Sequence, residues 1–509
     1  MQLVLNVEPD SEIGLQTQIF EQIRAMILDG RLRTGDPLPA TRLLCSQLSV
    51  SRNTLTLAYE RLAAEGYIES RKSVGTFVSK QIPEKALYAI QNSPMRRSNG
   101  RRPHSELELS LSNLRSQALV NPHTRRLTAD FWVGRPDSQS FPVKTWARLA
   151  CQRILQGSAA LTEYRDPTGL QELRQAICDH LRPARGIIAE PEQIIIVGGS
   201  QDGLNLVCRM LVRDGTVAVI ESPTYQGAAY LLESLGVTLH PVPVDIKGLN
   251  VGMLPDLKSS VAYVTPSHQY PLGVTLSLDR RIELLAWAMR TNSYIIEDDY
   301  DSDFRFQGSP IAALKGLDRG ERVIYMGTFS KCLGAGLRLG YVVLPSKLIT
   351  AARHYKTLMN NGQPWLEQAV LADFMQSGDY GRHLRRIRKH YLVRRNALIA
   401  AIQRYFGECE VAGAEAGMHL AWRIPKRLPP ASEIEAIALA NGIGVYTLAS
   451  GAAIHFGDRD DAERYLILGF SSLSESMIES GIAALAQALK TGRSSIAVNS
   501  NRLRSSRSR

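Results

Sequence analysis

Along the first eighty residues the apolar positions follow helical spacing and then alternate. In "LQTQIFEQIRAMILDG", residues 15–30, Ile19, Ile23, Met26 and Ile27 make one stripe that stops at Gly30. The stretch "TGDPLPATRLLCSQLSVSRNTLTLAYERLAAEGYIE" predicts two further helices, the first over residues 40–48. The second opens at Ser51, a good N-cap, and turns Val50, Leu55, Ala58 and Leu62 toward one core. Arg52 and Thr54 then face outward at its start, where a recognition helix meets base edges. "GYIESRKSVGTFVSK" reads as strand, turn and strand, a wing with Arg71 and Lys72 ahead of Gly75 at its tip.

The period changes further along. Between residues 126 and 490, short β-branched runs alternate with helical patterns: "QIIIV" (193–197), "TVAVI" (216–220), "SVAYVT" (260–265), "SYIIED" (293–298) and "RVIYMG" (322–327). Continuous apolar strands spaced by helices predict an α/β fold with a largely parallel sheet buried on both faces. Between the two patterned regions, residues 81–125 are rich in Ser, Asn, Pro and Arg and read as a flexible linker. Residues 491–509, "TGRSSIAVNSNRLRSSRSR", read as a disordered tail.

Charge adds to this picture once it is located. The 509-residue chain carries a formal +11, yet residues 1–80 hold nine basic and nine acidic side chains. Residues 81–128 hold eight basic against three acidic, the last nineteen hold five arginines and no acid, and the remainder is 38 against 37. The excess therefore sits in the linker and the tail, which suits loose contact with a polyanion. Six scattered cysteines without metal spacing, no apolar run long enough for a bilayer and an acidic N-terminus predict a reduced, cytoplasmic protein without structural metal. Of the six, Cys332 is the one to watch for reactivity, because it adjoins Lys331.

Lys331 stands in "YMGTFSKCLGAGLRLGY", a loop of small residues that follows a strand. A lysine kept dry there loses its proton and condenses with an aldehyde. Pyridoxal 5'-phosphate (PLP) asks for such a lysine, for an acid on its ring nitrogen and for a phosphate cradle. "YIIEDDYDSDF" sets Asp298 just past the end of a buried strand. "IIIVGGSQDGLNLV" runs from a strand through Gly198 and Gly199 to Ser200 and Gln201 at a helix start, a phosphate site. Arg338 adds a charged fork, and Thr328 and Ser330 add hydroxyl donors.

These motifs also carry resemblances. "LPATRLLCSQLSVSRNTLTLAYERLAAEGYIESRKSVGTFV" resembles the GntR-type winged helix-turn-helix. The resemblance implies that Arg42, Ser51, Arg52 and Thr54 contact operator DNA, with Lys72 on the wing and Gly75 letting the backbone approach the minor groove. "YRDPTGLQELRQAI", "ESPTY", "TPSHQYPLG", "IIEDDYDSDFR" and "GTFSKCLGAGLRLGY" resemble fold-type I aminotransferases, which add a small C-terminal α/β subdomain to the main sheet. The combination resembles the MocR-type (GabR-like) regulators. It implies that Lys331 binds the cofactor aldehyde, Asp298 pairs with the pyridinium and Tyr300 reaches the ring hydroxyl. Tyr225 stacks on the ring, and Ser200, Gln201, Thr328, Ser330 and Arg338 hold the phosphate. A homodimer follows, with Tyr164 reaching the partner's site.

Two departures bear on the ligand. The aminotransferase Asn-Pro-x-Gly loop becomes Tyr270-Pro271-Leu272-Gly273, which removes one ring-hydroxyl contact. Ile467 stands where the substrate-carboxylate arginine is expected, and Gly227 where a second one sometimes lies. Arg464, three residues earlier on the same strand, faces the other way. The expectation is a PLP-dependent regulator that senses either an amine not held by a carboxylate or PLP itself. The alternative is a working aminotransferase carrying a DNA-binding domain.

Overall fold

A computed structural model describes the chain apart from residues 1–2, 4, 10, 12, 72–73, 81, 83–114, 116–126, 307–310, 408–409 and 506–509, with backbone alone for residues 158 and 492–505. Two compact units divide it, Met1–Ser105 and Glu106–Arg509.

The N-terminal unit has three helices, Leu15–Leu28, Thr41–Leu48 and Arg52–Ala64. Its antiparallel sheet is ordered Pro37–Leu38, Gly75–Val78, Ile68–Arg71. The first helical stripe is wider than its aliphatic spacing suggested, because Phe20 is buried beside Ile19, Ile23 and Ile27 while Met26 is only half-buried. Phe20 meets Tyr67 edge to face at 6.3 Å, and the Arg61 guanidinium lies 3.9 Å from its ring centroid. The Ser51 hydroxyl accepts from the Thr54 amide at 3.1 Å, the cap that its residue type promised. Leu55, Ala58 and Leu62 are fully buried behind it, and Val50 packs at the rim.

The C-terminal unit is built on an eight-stranded sheet. Its order is Ile194–Val197, Gly340–Val343, Val323–Thr328, Tyr294–Asp299, Val261–Val264, Val217–Ser222, Thr238–Asp245, Gly248–Leu249. Neighbours pair parallel except at Gly340–Val343 and at the last edge strand. Helices cover both faces, as the strand Ile194–Val197 illustrates: Ile194 and Ile196 enter one core, Ile195 and Val197 the other. A three-stranded antiparallel sheet, Glu410–Ala412, His419–Arg423 and Tyr465–Gly469, forms the smaller C-terminal part with the helix Asp379–Phe406.

One sequence expectation changes here. The last helix runs Glu475–Ser505, so the backbone is helical through most of the tail expected to be disordered. Buried Ile478, Ile482, Leu485 and Leu489 anchor its first half, and extending a formed helix is far easier than starting one. The segment also contains no proline to stop it. The expected linker lies outside the described residues except for Ile82 and Arg115, and Arg115 pairs with Glu233 over the Tyr230 ring.

Candidate functional site: a lysine, an acid and an anion cradle at one end of the sheet

Strand Val323–Thr328 runs into a wide helical turn, Ser330–Gly334, that carries Lys331. The chain then passes Arg338, in left-handed backbone (φ 51°), and returns antiparallel as Gly340–Val343. This reversal sets Lys331 and Arg338 at the same end of the sheet. The Lys331 amine donates to the Gly134 carbonyl at 3.2 Å. Gly134 has φ +70°, and a Cβ there would lie 2.5 Å from Nζ, so the lysine needs a glycine at this point. Loss of surrounding water holds the Lys331 amine below its ordinary pKa, with Asp301 and then Asp298 opposing the shift.

Asp298 lies within the strand Tyr294–Asp299 rather than past its end, because the strand continues one residue further. Its Oδ2 accepts from the Tyr263 hydroxyl at 2.8 Å, while its buried Oδ1 has no partner. Burial is the main cause that pushes its carboxyl up to about 7. A cationic ring N–H at Oδ1 would reverse that penalty.

The strand Ile194–Val197 pairs with Gly340–Val343, and this pairing carries the Gly198-Gly199 turn to Arg338. A Cβ on Gly199 (φ +101°) would come 3.5 Å from the Arg338 guanidinium. Ser200 and Gln201 open the helix Ser200–Leu211, whose free N–H groups and dipole favour an anion. Gln201 also donates to the Gly227 carbonyl at 3.1 Å. The Thr328 hydroxyl accepts from the Ser330 amide at 3.2 Å, which fixes the other side of the cradle. Tyr225, Tyr270 and Tyr300 stand in sequence, edge to face, at 6.0 and 5.8 Å.

Other residues fall elsewhere. Tyr164 is 89% exposed beside Trp365 and is not brought to Lys331 within one chain. Cys332 is buried, and burial raises its thiol pKa far above the usual value, so the reactivity expected of it is not supported. Arg464 donates to the Pro429 carbonyl at 3.1 Å and lines an outer cleft with Arg423 and Arg427. Ile467 is fully buried among Val133, Tyr270, Ala421, Leu448 and Ala453. Gly134, Tyr263, His268 and Asp301 join the site without having been singled out. Their only signal was a glycine or polar residue inside "FWVGRPD", "SVAYVT", "TPSHQYPLG" and "EDDYDSDF".

On the N-terminal unit, Arg42 and Arg52 are exposed and Thr54 is half-buried. The Ser51 and Thr54 hydroxyls bond to each other at 2.8 Å, so part of their capacity serves the cap. Gly75 opens its strand at φ +136°, and Lys72 lies outside the described residues.

The unpartnered Asp298 oxygen and the glycine turn against Arg338 fit PLP: one would suit the ring nitrogen, the other the phosphate. Comparison with known proteins agrees. Residues 15–78 match the gntR family of bacterial regulatory proteins, and residues 133–455 match aminotransferase class I and II. The probable rhizopine catabolism regulatory protein MocR of Rhizobium meliloti is 36% identical over 95% of this chain and 96% of its own length. This chain is a MocR-type regulator of the GntR family. Another MocR-type relative, the pyridoxine biosynthesis regulator PdxR of Corynebacterium glutamicum, is 30% identical over 96% of this chain and 99% of its own. The body of this MocR-type chain is also similar to Pyrococcus horikoshii kynurenine aminotransferase, solved with PMP. That likeness has a TM-score of 0.66 and 26% identity over 77% of this chain and 96% of the enzyme.

Proposed function

We propose that the aminotransferase-like body senses an amine that lacks a carboxylate, or PLP itself, and that binding there alters how the winged helix engages its operator. Bound PLP supplies an aldehyde for the Lys331 amine and an electron-poor ring. Asp298 receives the ring N–H, Tyr300 faces the ring hydroxyl and Tyr225 covers the ring. Ser200, Gln201, Thr328, Ser330 and Arg338 take the phosphate. Arg42, Ser51, Arg52 and Thr54, with Lys72 and Gly75 on the wing, contact the DNA.

The effector class rests on one observation. Ile467, at the place of the carboxylate arginine, is walled in by apolar side chains, and Gly227 offers only backbone. A carboxylate placed against that wall would lose its water without gaining a charge-assisted partner. Two copies pairing through exposed apolar side chains, among them Leu155, Tyr164 and Leu358 at 85, 89 and 84% exposure, would carry the signal between subunits.

The test is the visible absorption of the PLP-loaded protein, titrated with amines with and without a carboxylate and then dialysed. The expected result is a band that shifts with a carboxylate-free amine and returns on dialysis, or a band indifferent to amines with DNA binding that responds to PLP. Tight, reversible binding of an amino acid through its carboxylate would overturn the effector class. The retained Lys331 and Asp298 favour a second reading, a slow aminotransferase. Bleaching of the band that only a keto acid reverses, together with regulation that survives Lys331→Ala, would establish it.

A further inference from the structure

The loop after the strand Val261–Val264 lacks the asparagine that aminotransferases point at the cofactor ring, but it places a histidine behind the tyrosine that remains. Gln269 pins this loop, donating at 2.7 Å to both the Pro223 and Tyr270 carbonyls and accepting from the Leu272 amide at 3.1 Å. His268 is thereby fixed with Nδ1 3.0 Å from the Tyr300 hydroxyl and 2.9 Å from Asp301 Oδ2. Both His268 and Asp301 side chains are 1% exposed.

The opposite side of the imidazole decides where its proton lies. His268 Nε2 is buried and has no hydrogen-bond partner. Glycine backbone closes it in: a Cβ on Gly273 would come 2.9 Å from Nε2, and one on Gly413 3.1 Å. A proton on Nε2 would be a buried donor without an acceptor, which costs about 1–3 kcal/mol. The neutral ring therefore carries its hydrogen on Nδ1, between Asp301 Oδ2 and the Tyr300 oxygen. Since Tyr300 accepts from that side, its own hydrogen points away from His268.

We propose that His268, held by Asp301, is a positioning residue that directs the Tyr300 hydroxyl proton toward the ring oxygen of bound PLP. The proposal rests on the reading of this site as a PLP site. Among the described residues the groups facing the trio are His419 from the strand His419–Arg423, with its ring centroid 5.0 Å from that of His268; Lys331 from its turn; Asp298 from the strand Tyr294–Asp299; Glu221 from the strand Val217–Ser222; and Tyr270 from the same loop. His419 is neutral at ordinary pH, since burial and then His268 lower its pKa to about 3. Asp301 is thus the carboxylate that bonds His268, and His268 separates part of its charge from Tyr300.

A hydrogen bond given to the ring oxygen favours its anionic form, so the pH midpoint of the visible band of the PLP-loaded full-length protein reads the direction of the Tyr300 proton. In His268→Ala the tyrosine is free to donate to Asp301 instead, and the midpoint should rise by about one pH unit, tenfold in proton affinity. His268→Asn, which keeps an N–H at the Nδ1 position, should restore most of the parental midpoint, and His268→Gln should not. Tyr300→Phe should shift the midpoint as His268→Ala does, and adding His268→Ala to it should change nothing more. Should the alanine variant fold poorly, the asparagine and glutamine variants carry the comparison alone.

An unmoved midpoint in His268→Ala and His268→Gln, or a full His268→Ala shift in the Tyr300→Phe background, would overturn the proposal. His268, Asp301 and His419 also place one ligand atom each within 4.8 Å of one another. If a chelator alone reproduced the His268→Ala shift in the parent protein, the group would be a metal site and the proposal would fall. No visible band in the parent with added PLP would instead sink the cofactor reading, which a band with an unmoved midpoint would leave standing.

Discussion

The Asp298 carboxyl illustrates what burial does to a single residue. Its pKa is raised to about 7 in the cofactor-free protein, above the unfolded value near 4. A raised folded value stabilises the native state below the unfolded pKa, and that contribution is lost as pH rises through the folded one. Relative to Asp298→Asn, the cofactor-free parent should therefore lose thermal stability from about pH 4 to about 7 and level off above. Glu297, also raised to about 7 chiefly by burial, acts in the same window in both proteins and cancels in the comparison, whereas Glu221, raised to about 7 by burial and in smaller part by the Asp298 charge, cancels only in part. If PLP binds with its ring N–H at Asp298, that cation would keep the carboxylate ionised, and melting curves should show the difference in slope disappear. If Arg338 holds the phosphate, Arg338→Ala would remove a charge-assisted bond worth about 1.5–3 kcal/mol, and PLP titrations should give a Kd roughly ten- to a hundredfold weaker.

At the scale of elements, two short segments are expected to govern two functions. The Ser51 cap fixes where the helix Arg52–Ala64 begins and therefore where Arg52 and Thr54 project. Ser51→Ala should cost the N-terminal unit about 1 kcal/mol, read as a lower denaturant midpoint, and should weaken operator binding by more than that loss explains. The Gly198-Gly199 turn is the corresponding element in the body. Gly199→Ala forces an L side chain to φ +101° and brings its Cβ to the Arg338 guanidinium. The cofactor should then bind more weakly with little change in the strand beneath, as absorption and circular dichroism would show together.

For the whole molecule, the balanced charge of residues 1–80 limits how much of the DNA affinity is non-specific. If Arg42 touches a phosphate, Arg42→Ala should weaken binding alike on all sequences and lower the slope of log affinity against log salt by about one. Arg52→Ala should relax the choice of sequence if Arg52 reads a base edge. No helix among the described residues is long and apolar enough to cross a membrane.

Much of this protein was legible in its sequence because the deciding features are local. The period of the apolar residues fixed the three helices and the wing. Runs such as "QIIIV" marked strands buried on both faces, and Lys331, Asp298 and Arg338 stood in motifs next to strand ends. Strand direction was not legible, since the antiparallel return of Gly340–Val343 depends on which neighbour it meets, and that pairing alone brings Gly199 to Arg338. The core place of Phe20 and the length of the last helix were not legible for a related reason: burial against a distant partner and helix propagation outweigh local composition. The site's inner layer belonged to tertiary structure altogether. Tyr263 holds one oxygen of Asp298, Gly134 makes room for the lysine, and His268 meets Tyr300 and Asp301. Each of these contacts joins residues from separate strands or loops, at distances that only the packed sheet sets.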